Sequence, residues 1–189
     1  MLSLLLGCFS TVSSTVAQDL HAPFDTLDVR LGWTRDVSSG PLGRYWSPGA
    51  SFTLGASTPF YAGRVSAGLR VESFDNRDAS VPPFVSGYLS LGWGFEWTMQ
   101  HGSRHELGFH FGDFFMRFDT DSVAGTRNES ELAGGAYYQI RMRISDRAGV
   151  FVRGSYTGVL TEHRLNLFHV SAGIALRSAT PVWLRTLLQ

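Results

Sequence analysis

The sequence predicts an all-β protein, an eight-stranded antiparallel up-and-down transmembrane β-barrel. Three observations lead there. Eight segments alternate apolar and polar residues with a period of two, the mark of half-buried strands. The connections between them alternate between long and short. Trp and Tyr side chains collect on the apolar face, as they do where one end of a ring is in lipid and the other in water.

The strands follow in order. Leu27, Val29, Leu31 and Trp33 alternate with Asp28, Arg30, Gly32 and Thr34. Phe52, Leu54 and Ala56 alternate with Ser51, Thr53 and Gly55, and Val65, Ala67, Leu69 and Val71 with Arg64, Ser66, Gly68 and Arg70. The fourth sets Leu89, Leu91, Trp93, Phe95 and Trp97 against Tyr88, Ser90, Gly92, Gly94 and Glu96. The fifth sets Leu107, Phe109 and Phe111 against Glu106, Gly108 and His110; Gly112-Asp113-Phe114-Phe115 then breaks the phase, and a β-bulge is expected there. Tyr138, Ile140, Met142 and Ile144 alternate with Tyr137, Gln139, Arg141 and Arg143. Val150 and Val152 alternate with Phe151 and Arg153, and Phe168, Val170, Ala172, Ile174 and Leu176 with His169, Ser171, Gly173, Ala175 and Arg177. Long polar connections fall near 36–47, 74–83, 118–130 and 159–164, short ones near 57–60, 99–103 and 146–148.

Alternation alone does not say which face points outward, since a soluble lipocalin-like barrel alternates too. The polar face decides for the membrane: it mixes Gly and Ser with long charged side chains, as a narrow lumen needs. Trp33, Trp93, Trp97, Tyr138 and Tyr156 lie on the opposite, apolar face as interface aromatics. Charged residues are 17% of the chain, below the ~25% of soluble domains. Formal net charge is zero, which excludes nucleic acid as the main partner. No run of 18 apolar residues marks a transmembrane helix.

Residues 1–17 read as a signal peptide, with Thr15-Val16-Ala17 offering small residues for cleavage before Gln18. Its n-region lacks Lys and Arg, which points to a start further upstream. Leu5-Leu6-Gly7-Cys8 is similar to a lipobox, but seven residues are too few for a lipoprotein leader. Residues 18–178 form the barrel and 179–189 a periplasmic tail, in which Trp183, Leu184, Leu187 and Leu188 suit the membrane interface.

The leader, eight alternating segments and the rhythm of short turns and long loops resemble the small bacterial outer-membrane barrels, such as the OmpA transmembrane domain and OmpX. The likeness is architectural, covers residues 24–178, and implies the outer membrane of a Gram-negative cell. It also implies a monomer in contact with outer-membrane lipid, lipopolysaccharide and the barrel assembly machinery. One departure is that such barrels commonly end on an aromatic residue, whereas here a tail follows the last strand near Arg177.

Candidate chemistry is sparse. An eight-stranded lumen is just wide enough to be filled by side chains. Arg30, Arg64, Arg70, Arg141, Arg143 and Arg153, with Asp28, Glu72, Glu96 and Glu106, are therefore expected to pair into a plug. The alternative is a narrow pore, an anion path or a hydrophobic-ligand conduit. His169-Val170-Ser171 resembles the His-x-Ser pair of the outer-membrane lipid A deacylases, which implies a hydrolase reading with Ser171 as nucleophile and His169 as base. Against it, both sit on the lumen face, and no acid follows Glu162. His110 beside Glu106 offers a conceivable metal pair, but the spacing supplies no ligand set, so neither metal nor cofactor is expected. Asn128-Glu129-Ser130 fits a glycosylation pattern that has no role in a bacterial protein. Any binding role is expected in the long loops, the third of which carries Asp119, Asp121, Arg127, Glu129 and Glu131.

Overall fold

The computed structural model describes residues 23–38, 41–119, 128–160 and 165–188. The leader, Cys8, Asp121, Arg127 and Glu162 lie outside them. Eight antiparallel strands close into one barrel in sequence order: β1 Thr26–Asp36, β2 Trp46–Phe60, β3 Gly63–Asn76, β4 Phe84–Thr98, β5 Arg104–Phe118, β6 Asn128–Arg143, β7 Ala148–Val159 and β8 Leu165–Ala179. Closure is by β1 on β8, from Thr26 opposite Ala179 to Asp36 opposite His169. No edge strand is left, so every wall strand has hydrogen-bonding neighbours on both sides, the condition for crossing lipid as a sheet.

Both chain ends of the barrel and the three short turns share one rim; the longer connections share the other. The strands are 11 to 16 residues long, more than the ~9–11 a tilted span needs. Moving up from the short-turn rim, the outer face of β1 runs Leu27, Val29, Leu31, Trp33 and then Arg35. On β5 it runs Leu107, Phe109, Phe111 and then Asp113. The apolar members are mostly near half exposed, which in water would be a continuous unfavourable belt and in lipid is the expected surface.

Two sequence expectations change. β5 continues unbroken through 112–115, with Asp113 outward and Phe114, Met116 and Phe118 buried inward. The irregularity in the wall lies instead in β2, between Pro48 and Ser51. The 57–60 segment is strand, and the turn is Tyr61-Ala62, with Tyr61 at φ 52°. Pro59 is tolerated there because it stands one residue from the strand end, where a missing N–H costs least.

Two short helices dress the rims. α1, Pro41–Tyr45, lies in the first outer loop and lays Leu42 onto the top of the lumen. That loop is tied to the next by Arg77 N–H to Tyr45 O at 2.8 Å and by the Trp46 indole to Pro82 O at 2.8 Å. α2, Val182–Leu188, follows β8 within the tail, with Trp183 and Leu187 exposed and Arg185 3.4 Å from Asp25.

Candidate functional site

The inside of the barrel is stacked in layers. At the short-turn end, Asp28 on β1 receives three guanidiniums. Arg177 grips it bidentately at 2.8 and 3.0 Å, Arg64 lies at 2.8 Å, and Arg141 donates to the same carboxylate. Glu96 takes Arg141 at 2.6 Å, Arg104 at 3.4 Å and Arg64 at 3.9 Å. Two carboxylates on β1 and β4 thus bind arginines from four other strands. The planar guanidinium suits this, since it can donate to several acceptors at once. Below the network opens a vestibule of about 880 Å³, lined by Arg104, Arg141, Arg143, Arg147 and Arg177.

The middle layer is hydrogen-bonded. Arg30 donates to Gln139 at 2.7 Å, and Gln139 and the Tyr137 hydroxyl both donate to Glu106. Arg153 lies 3.7 Å over the Tyr137 ring. The wall makes room for that ring: a Cβ on Gly94 would stand 2.6 Å from the Tyr137 hydroxyl, and one on Gly108 2.7 Å from its Cζ. A void of only about 50 Å³ remains, lined by Arg30, Arg70, Tyr88, His110, Arg153 and Ser171 among others. It is room for one or two waters.

Higher up, His169 Nε2 sits 3.1 Å from Glu72 Oε2, both fully buried. Asp36 completes the group and accepts from both the backbone N–H (2.7 Å) and the hydroxyl of Ser38. The His110 ring is held at both nitrogens, by the Tyr88 hydroxyl at 2.9 Å and Tyr156 O at 3.2 Å. Above these, Phe74, Phe84, Phe114, Met116, Phe118, Val159 and Leu167 fill the lumen as an apolar cap. Outside it, in the second outer loop, Asp78 accepts from Ser80 N–H at 2.9 Å, which holds its carboxyl below the usual range.

Of the residues expected in the lumen, Arg30, Arg64, Arg70, Glu72, Glu96, Glu106, Arg141 and Arg153 point inward. Arg143 continues that face but lies below the packed lumen: it is 70% exposed at the short-turn rim, on the vestibule and 3.5 Å from Asp146, because β6 ends there. Pairing is also not arginine to acid throughout. Glu72 takes His169, Glu106 takes neutral donors, and Arg70 lies over the Tyr88 ring at 5.3 Å. Trp97 and Tyr138 face outward near the short-turn rim, where Tyr138 bonds His105 at 2.6 Å. Trp33 and Tyr156 face outward towards the loop rim, and Trp93 packs on Phe109 along the outer wall between β4 and β5.

The hydrolase reading gains an acid and loses a nucleophile. Glu72 stands beside His169, contributed by a distant strand and not by the residues that follow it. Ser171 Oγ, however, bonds Thr34 Oγ1 at 2.8 Å, and it has no hydrogen bond to His169 among the described residues. Glu72 and His169 are sealed in the lumen, away from acyl chains. His110 and Glu106 are spoken for by separate partners and do not converge as ligands.

A closed barrel with an apolar outside and a charged, filled inside is a transmembrane β-barrel of the outer-membrane type. No protein-family model matches the chain, and no curated protein matches it in sequence. Among solved structures, it is similar to Neisserial surface protein A, with TM-score 0.58 and 11% identity over 82% of this chain and 96% of that one. It is also similar to Ail, the attachment invasion locus protein of Yersinia pestis, with TM-score 0.51 and 12% identity over 82% and 97%. Identities this low speak to fold alone. That fold and the lipid-facing belt together place the chain in a bacterial outer membrane.

Proposed function

We propose that this protein is a monomeric, non-conducting envelope barrel that acts through its outer loops, with outer-membrane lipid and lipopolysaccharide against its belt. The observation that carries this reading is the filled lumen. An ion crossing it would have to part the Asp28–Glu96 arginine network and then the apolar cap of Phe74, Phe84 and Phe114. The first obstacle is charged and mutually bonded, and the second offers no polar partner to a dehydrated ion. What remains for recognition is the loop rim, where α1 and the Trp46–Pro82 tie make two of the connections a joined surface. The assembly machinery would deliver it to the membrane as it does other strand-spanning proteins.

The test is conductance in planar bilayers. Refolded protein is expected to give no reproducible single-channel steps. Steps of constant size, abolished by heat denaturation, would defeat the reading in favour of a pore.

A further inference from the structure

We propose that Asp36, Glu72 and His169 form a binding site for one divalent transition-metal ion of the zinc class, built into the wall beneath the apolar cap. One donor atom from each of the three residues lies within 4.8 Å of the others. Their relative exposures are 4%, 1% and 1%. One imidazole with two carboxylates is a donor set that zinc accepts readily, whereas calcium and magnesium want oxygen alone.

The spacing also fits. Ligands about 2.0 Å from a tetrahedral ion stand ~3.3 Å apart. The His169–Glu72 separation is already 3.1 Å. An Asp36 oxygen lies within 4.8 Å of both partners.

Two further observations point to a missing partner. Glu72 Oε1 is buried and has no hydrogen-bond partner among the described residues; His169 Nδ1 is unpaired too, but it lies across the ring from Nε2 and takes no part in the site. Burial of such atoms is costly unless something satisfies them. Nor does a described arginine stand within salt-bridge distance of either carboxylate, unlike Asp28 and Glu96 lower down. A divalent cation would answer both the charge and the open Glu72 oxygen.

The surroundings resemble the support a metal site needs. Ser38 fixes one Asp36 oxygen through both its N–H and its hydroxyl, while that hydroxyl accepts from Phe168 N–H at 2.8 Å. Arg70 and Ser171, the next inward residues below Glu72 and His169, line the small void beneath. Phe74 and Leu167, the next inward residues above, shut the site from the loops. The ligands come from β1, β3 and β8, and Asp36 is paired with His169 across the closing seam. A bound ion therefore ties the first strand to the last and to β3.

Untagged protein is refolded with Zn²⁺, desalted and assayed for metal by mass spectrometry. One zinc per chain is expected. Glu72→Gln and His169→Asn should each lose it, and Ser38→Ala should weaken binding about tenfold. Cobalt in place of zinc should give a visible d–d band, and wild-type protein refolded in EDTA should unfold at lower temperature. The last two readouts need no variant, so they decide the matter if a substitution prevents folding. No retained metal with no effect of EDTA would overturn the site and leave a buried His–Glu pair. Metal retained undiminished by both ligand variants would overturn it equally, by placing the ion elsewhere.

Discussion

Asp28→Asn isolates the charge network with little change in volume. Asp28 is 1% exposed and takes three arginines. Removing one member of a buried ion pair typically costs ~3–5 kcal/mol. Three features set this case at the low end. Arg141 keeps Glu96 at 2.6 Å, Arg64 keeps Ser57 O at 3.0 Å, and Arg177 is a quarter exposed and can rehydrate. The expected loss is therefore about 3 kcal/mol, roughly a hundredfold in the folded-to-unfolded ratio. The assay is reversible urea unfolding in lipid vesicles, followed by tryptophan fluorescence. Arg177→Gln is the control: its partly exposed side chain should cost no more than about 1 kcal/mol. If Asp28→Asn unfolds within about 0.5 kcal/mol of the wild type, the network is not what stabilises the lower lumen, and the reasoning above fails.

Two other outcomes check the orientation and the chemistry. Leu91 stands at the centre of β4 on the outer face, so Leu91→Arg should cost ~2–4 kcal/mol in a bilayer; a neutral result in the same vesicle assay would mean the belt does not face lipid. Ser171 is bonded to Thr34 and not to His169, so cells making wild-type protein or Ser171→Ala should carry lipid A with identical acyl chains by mass spectrometry. An acyl chain missing only with the wild type would revive the hydrolase.

The wall of this barrel was legible in the sequence because each face keeps one polarity over most of its length. Val65 to Val71 and Leu89 to Trp97 read directly as lipid-facing positions. Reading failed where that rule changes inside a strand. On β5 the lumen turns apolar above His110 while the outer face turns polar at Asp113, so an unbroken strand looked like a shifted one. Arg143 was misplaced because alternation carries no information about where a strand ends. The Asp36–Glu72–His169 group has no local spacing at all. Its members meet only through the β1–β8 closure and the curvature of the wall, neither of which a linear pattern contains.

The apolar cap has a consequence for transit. Phe114-Phe115-Met116 is apolar on both faces of β5, one face for the lumen and one for the outside. Nearby on β4, Phe84-Val85, opposite Phe118 and Arg117, is apolar on both faces too. Before closure, these segments offer an aqueous compartment a sticky, nearly uncharged β-prone surface, the composition that drives aggregation. The lower strands, studded with arginine and glutamate, do not. The unassembled chain is thus most in need of escort at its loop-proximal third, the same part that later shuts the finished barrel.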